Sequence, residues 1–280
     1  MSSKAAARPA QLLSNLVGSV SRERLKSLLV RTPVEAPLKA LRTMWELRQL
    51  REHPELHAIY TEGMVIDRVL QRIVTAESNC VDIGCHIGST LSQLLKLAPR
   101  GQHAAFEPIP TKAEWLRRRF PEVEVFEVAL ADRAGEATFY INTKLSGFSG
   151  LQRHGDEGEH QALTVRTARL DECLADRRVD FIKLDVEGGE LGVLRGANGV
   201  LERWKPRILF ECTKSSLAAH GVEAADMFGW LAAQGYAIWT PSAYLAGAKP
   251  LDLAGFIAAQ TYPFQAFNFF TESSSGASPS

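Results

Sequence analysis

Cys80-Val81-Asp82-Ile83-Gly84-Cys85-His86-Ile87-Gly88 is the stretch on which the fold turns. Its first four residues read as an apolar strand, and Gly84 and Gly88 let the backbone pass close to a ligand before the next helix begins. That helix is expected from about Ser89 to Leu97, stopped by Pro99 and Gly101. A strand, a glycine loop and a helix form the opening unit of a doubly wound α/β sheet. In such sheets ligands bind in the crevice outside the strands' carboxyl ends. The dinucleotide fingerprint wants glycine where His86 stands, which argues against a nicotinamide or flavin enzyme.

The same alternation extends outward from this unit. A helix over Met64 to Val74 precedes it. His103 to Phe106 reads as the next strand, and Pro110 to Phe120 as a helix with proline in its first turn. Val123 to Leu130 reads as a third strand, and Phe181 to Val186 and Ile208 to Cys212 as the fourth and fifth. A helix over about Glu190 to Leu201 lies between those last two. Ala137 to Ile141 and Leu163 to Arg169 alternate like paired edge strands joined by a glycine-containing loop. A helix near Ala224 to Gln234, a strand over Tyr236 to Thr240 and a last strand over Ala266 to Phe270 complete the pattern. The expectation is a parallel, doubly wound sheet covered by helices on both faces. It occupies residues 61–271, before a serine-rich, disordered tail at 272–280.

Composition narrows the classes. Of 280 residues 45% are apolar, enough for a substantial core, and 32 basic residues balance 32 acidic ones. A uniformly basic nucleic-acid binder is therefore not expected, and no apolar run has the roughly 20 residues a transmembrane helix needs. Neutrality hides an asymmetry: the first 51 residues carry ten basic and three acidic side chains. Leu12, Leu13, Leu16, Val17 and Val20 recur at helical spacing, as do Leu38, Leu41 and Trp45. Residues 1–60 thus read as a basic helical extension, suited to self-association or to docking on an acidic membrane surface. Cys80, Cys85, Cys173 and Cys212 show neither a CxxC pair nor zinc spacing. Reduced thiols and the absence of a secretory pattern lead to a cytoplasmic expectation.

Acidic residues at the ends of three strands carry the chemistry. Glu107 ends the second strand 19 residues after Gly88, where a carboxylate can accept hydrogen bonds from both ribose hydroxyls. Asp185, Glu187 and Glu190 follow the fourth strand in Ile182-Lys183-Leu184-Asp185-Val186-Glu187-Gly188-Gly189-Glu190; helix-dipole complementation accounts for part of Glu190. Glu211 ends the apolar run Ile208-Leu209-Phe210, where a carboxylate is costly unless it is paired, liganded or used. His154 to His160 holds ligand-type residues in the expected hairpin loop, read as a solvated loop or a lid over substrate. His53 and His57 read as surface or packing residues.

Asp82 to Gly88, Ala105 to Pro108, Ala129-Leu130-Ala131-Asp132, Leu170-Asp171-Glu172, Phe181 to Glu190 and Ile208 to Glu211 together resemble the FkbM-type S-adenosylmethionine-dependent methyltransferases. The resemblance covers about residues 62–270, with IKLDVEGGE its most specific part. It implies a class I methyltransferase fold, a doubly wound, mostly parallel, seven-stranded sheet, and methyl transfer to a hydroxyl of a saccharide, glycolipid or secondary metabolite. It also implies that Asp82, Gly84, His86 and Gly88 line the methionine and ribose side of the cofactor, Glu107 holds the ribose, and Ala129, Leu130 and Asp132 border the adenine. Asp185 would face the methionine end and the acceptor. The family usually has alanine and asparagine where Cys85 and His86 stand here.

Methyl transfer is an in-line displacement, so positioning supplies most of the catalysis, and one carboxylate can orient the alcohol and take its proton. Asp185, Glu187 and Glu211 are the candidates for that base. The same acids could hold a divalent cation, a reading less favoured than base or cofactor contact. The alternative function is a non-catalytic module of the same fold that binds S-adenosylmethionine or a nucleotide; a dehydrogenase is weaker still. The acceptor pocket is expected over the sheet's carboxyl edge, roofed by residues 142–162.

Overall fold

The computed structural model describes residues 54–142, 149–152, 160–174 and 176–274, together with Val30, Thr32 and Pro37. The helices expected in the basic extension, His53, most of the 142–162 connection and the tail beyond residue 274 lie outside the described residues.

The main sheet has seven strands in the order β3 (Glu124–Phe126), β2 (Ala104–Phe106), β1 (Cys80–Ile83), β7 (Phe181–Leu184), β8 (Arg207–Glu211), β10 (Asn268–Ser273) and β9 (Tyr236–Trp239). Every pairing from β3 across to β8 is parallel, and β10 runs antiparallel to both of its neighbours. The order reverses beside β1, so the crevice expected after Ile83 opens at the topological switch point. Strands β1 and β7 are buried at every residue, as parallel strands covered on both faces must be.

Alternation along β1 divides the core. Val81 and Ile83 enter the larger cluster with Leu191 and Leu194 of α5 (Glu190–Arg195), Leu201 of α6 (Asn198–Trp204) and Met227 of α8 (Ala224–Ala233). Cys80 turns to the other face, where Val69 and Leu70 of α1 (His57–Ile73) and Leu94 of α2 (Ser89–Leu97) cover it. A third cluster joins Leu91 of α2 to Leu116 of α3 (Pro110–Arg119) and Phe120, and Val30 of the extension packs into it. The carbonyl of Val30 accepts from Arg119 Nε at 3.0 Å.

Four expectations need correction. The run 123–130 is two strands: β3 ends at Phe126, and β4 (Ala129–Leu130) leaves the main sheet to pair with β6 (His160–Ala168). The strands expected at a sheet edge, β5 (Gly135–Asn142) and β6, instead form a separate three-stranded sheet with β4. The helix expected over 190–201 breaks at Gly196, the C-cap of α5, which packs so closely on the carbonyl oxygen of Ala131 that no side chain fits there. It restarts where Asp171 of α4 (Leu170–Leu174) accepts from the N–H groups of Gly199 and Val200 at 3.1 and 2.9 Å. Glu272 and Ser273 belong to β10 rather than to a tail.

Helix α1 begins before the expected start at Met64 and runs through the boundary expected at residue 60. Its anchor is the buried Glu62. Oε1 accepts from the N–H groups of Phe267 and Asn268 at 2.8 and 2.9 Å, and Oε2 from Asn268 Nδ2 at 3.1 Å. Those N–H groups begin β10, and burial raises the carboxyl above its ordinary range while the donors pull it back. Glu62→Ala strands two backbone donors and the Asn268 amide and should cost about 2 kcal/mol, a fall in melting temperature of roughly 4–8 °C. Glu62→Gln keeps the Oε1 acceptor and should recover most of that loss. A Glu62→Ala protein that melts with the wild type would show that this anchor contributes nothing.

Candidate active site

The loop after β1 is set by backbone geometry. Gly84, His86 and Gly88 all adopt left-handed conformations, with φ of 74°, 50° and 76°. A side chain at Gly84 would lie 1.8 Å from the carbonyl oxygen of Asp185, and one at Gly88 would meet the Phe120 ring at 2.5 Å. Both positions are closed to anything larger than hydrogen. His86 takes up the strain of the third position because its N–H donates to Glu107 Oε2 at 3.0 Å. Glycine is thus dispensable at 86 in this loop, where the dinucleotide fingerprint has it.

The loop borders a cleft of about 290 Å³. Glu107 lies against it, 4% exposed, and its Oε1 accepts from the N–H of Ile109 at 3.0 Å. Each carboxylate oxygen so far carries one backbone donor, which leaves further acceptor sites toward the cleft. Burial raises Glu107 above its ordinary pKa, with Lys112 and His86 acting in the opposite sense. The far end of the cleft is apolar, with Ile109, Val128, Ala129, Leu130 and Phe139. Asp132, expected beside Ala129 and Leu130, does not line the cleft; it is exposed in the turn after β4, next to Arg133 at 3.6 Å. Of the 142–162 connection, Ser149 and Leu151 reach the cleft, held by the Tyr140–Gly150 backbone pair and by Ser149 Oγ accepting from the N–H of Asn142. His160 is a residue of β6 and His57 the first of α1.

Across the cleft, strand register brings charges together. Asp82 of β1 pairs with Lys183 of β7, so both side chains leave the same face of the sheet. Lys183 is buried and donates from Nζ to Asp185 Oδ2 at 2.5 Å. Burial opposes its charge, but Asp185, Asp82 and Glu211 outweigh burial and raise its pKa. Asp82, 1% exposed, completes no hydrogen bond at either oxygen, although the N–H of Leu91 leans toward it. Burial pushes its carboxyl up to about 6, against the pull of Lys183. A buried carboxylate that lacks full hydrogen bonding and lines a cleft suits a ligand bearing a donor.

The remaining acids surround this pair. Glu187 faces the cleft in a left-handed conformation with φ of 55°, and burial with Asp185 and Glu211 nearby pushes it up to about 9. Glu190 is buried beneath the turn, accepts from the N–H groups of Val186 and Gly188, and is pushed up to about 7 by burial. Glu211 is raised by burial and by Asp185; it does not line the cleft but faces two neighbouring cavities. Among the described residues, no three His, Cys, Asp or Glu side chains are grouped so as to hold a metal ion. No described helix is long and apolar enough to cross a membrane.

The structure therefore gathers Asp82, Gly84, His86, Glu107, Ala129, Leu130, Asp185 and Glu187 around one cleft, with Gly88 directly behind its loop. Two residues escaped the sequence reading. Lys183 sat inside the quoted IKLDVEGGE run, and its register opposite Asp82 was the usable signal. Glu62 gave none, because its partners lie more than 200 residues away in sequence.

A model of the methyltransferase FkbM domain matches residues 82–238. The 2-O-methyltransferase NoeI of Sinorhizobium fredii is 29% identical over a match covering 56% of this chain and 72% of that protein. The AMB antimetabolite synthetase AmbE of Pseudomonas aeruginosa is 27% identical, over 51% of this chain but only 9% of that much longer protein. The crystal structure of a methyltransferase FkbM from Methylobacillus flagellatus superposes with a TM-score of 0.45 and 16% identity, covering 71% of this chain and 44% of that one. With more than half of its length matched by the family model, the chain belongs to the FkbM methyltransferase family.

Proposed function

We propose that the protein is an S-adenosylmethionine-dependent O-methyltransferase acting on a hydroxyl of a small molecule, of the saccharide, glycolipid or secondary-metabolite class. The observation that carries the reading is the cleft at the switch point, with Glu107 at one wall and the Lys183–Asp185 pair at the other. The residues fit that cofactor. Glu107 keeps acceptor sites for a vicinal diol, the unpartnered Asp82 offers a carboxylate to an ammonium group, and the Ala129–Leu130 end accepts a flat apolar ring. The relative NoeI, named as a 2-O-methyltransferase, supports a hydroxyl as the acceptor.

When bound, S-adenosylmethionine would supply an electrophilic sulfonium methyl group, its carbon–sulfur bond leaving the electron pair on sulfur as the acceptor oxygen takes the carbon, and the alcohol's proton would need a base. Asp185 is the base in this reading. Its Oδ2 is engaged by Lys183, which leaves Oδ1 for the hydroxyl proton. Glu187, pushed up to about 9, holds its own proton at neutral pH and serves as a hydrogen-bond donor rather than as the base. Lys183 keeps Asp185 oriented, so that alignment and not strong basicity supplies most of the rate.

Three measurements test this. Glu107→Ala should weaken S-adenosylhomocysteine binding by about 30-fold or more in calorimetry, since a hydrogen bond to a charged group contributes about 1.5–3 kcal/mol; unchanged affinity removes Glu107 from the site. Asp185→Asn should keep cofactor binding and reduce methyl transfer by about 100-fold or more, and full activity would dismiss Asp185 as the base. The third concerns pH. Glu187 has a folded-state pKa raised from 4.5 to about 9, so its contribution to stability is complete below about pH 4.5 and is lost as pH rises toward 9. The wild-type melting temperature should fall over that window, and Glu187→Gln, neutral throughout, should flatten the fall. Parallel slopes for the two proteins would mean that Glu187 does not titrate there.

A further inference from the structure

Beside the cofactor cleft lies a second cavity of about 530 Å³, between α1 and the carboxyl ends of β7 and β8. The two cavities share Ser89, Thr90, Lys183 and Asp185. The wall between them is therefore the ion pair that the mechanism uses. A third cavity, near Thr213, meets the cleft only at Glu187 and does not reach Asp185.

The chemistry of the second cavity restricts what it can hold. Ile59 and Met64 of α1 give it an apolar side, and Tyr60 adds a ring with a hydroxyl. Its charged groups are unequal in number: Glu62, Asp67 and Glu211 face it, while the one lining ammonium among the described residues, Lys183, is already bound to Asp185. Asp67 accepts from Gln93 Nε2 at 2.9 Å, and Glu62 accepts from Asn268. Carboxyl groups exchange hydrogen bonds with hydroxyls, as acceptors when ionised and as donors where burial keeps them protonated, and in neither form do they pair with a phosphate or carboxylate ligand as a free lysine or arginine would. We propose that this cavity is the acceptor site and that it takes a polyhydroxylated molecule bearing no anionic group, with its reactive hydroxyl against the Lys183–Asp185 wall. The inference rests on the neighbouring cleft being the S-adenosylmethionine site.

Gly63 supplies the test. It lies within α1, lines the second cavity and not the first, and a side chain built on it meets no atom within 4 Å. Gly63→Phe should fill the cavity without straining the backbone, and it replaces a poor helix former with a better one. The full-length variant should melt at or above the wild-type temperature. It should bind S-adenosylhomocysteine within about twofold of wild type in calorimetry, yet transfer at least about 100-fold less tritiated methyl from S-adenosylmethionine into a polar extract of the cells that make the protein. With the wild type, the labelled product should pass unretained through an anion exchanger. Wild-type transfer by Gly63→Phe, or label retained with phosphorylated or acidic material, overturns the proposal. If Gly63→Phe fails to fold, Gly63→Leu is measured in its place by the same criteria. A wild-type protein that does not bind S-adenosylhomocysteine, or binds it and labels nothing, overturns the methyltransferase reading itself, an outcome distinct from failure of the cavity assignment alone.

Discussion

One ammonium group governs the electrostatics of the sheet's carboxyl edge. Lys183 is buried in the sheet between Asp82 and Asp185, and Glu211 adds to the same field. A buried charge is tolerated only where partners and hydrogen bonds replace the water it has lost. Here the dependence runs both ways. Without Lys183, Asp82 and Asp185 would face each other across adjacent strands with no positive charge between them. With it, the edge offers two oriented carboxylates to what lies in the cleft, while Glu187 and Glu190, further from the ammonium, are driven by burial toward their neutral forms.

That arrangement also requires the backbones of β1 and β7 to approach closely at their carboxyl ends. Gly84 allows it, since its α-carbon sits directly against the peptide of Asp185. The glycine loop is therefore a packing device as well as a binding loop: it fixes how far Asp185 stands from Asp82 and from Glu107. His86 shows the complement of the same argument. A position that glycine occupies in dinucleotide folds can be held by a side-chain-bearing residue when a buried carboxylate pins its N–H.

How far all this could be read from residues alone varied with the range of the interactions. Strand, glycine loop and helix at 80–97 are local patterns, and so was Glu107, whose place follows from a fixed spacing within one βαβ unit. The doubly wound parallel sheet is legible in the alternation of strands and helices, but β4 to β6 are not, because departure from the main sheet after Phe126 is decided by pairing with residues some forty positions later. Asp132 was carried along with its neighbours Ala129 and Leu130, yet the chain turns outward there and leaves it in solvent. Lys183 was overlooked although it lies within the most recognisable run of the chain. A lysine in an apolar strand has meaning only once the register places Asp82 beside it.

The reversed strand β10 has its own consequence. The parallel strands end at this carboxyl edge in carbonyl groups, whereas β10 begins there and presents amide donors, from which the carboxylate of Glu62 accepts. The first described long helix and the last strand are thereby joined across 205 residues. Contacts of such sequence separation form late, because a long loop must close before they are made. A growing polypeptide on the ribosome would hold this acid without its donors until residues 267 and 268 had emerged, so closure over the sheet's carboxyl edge becomes a late event in the folding of this domain.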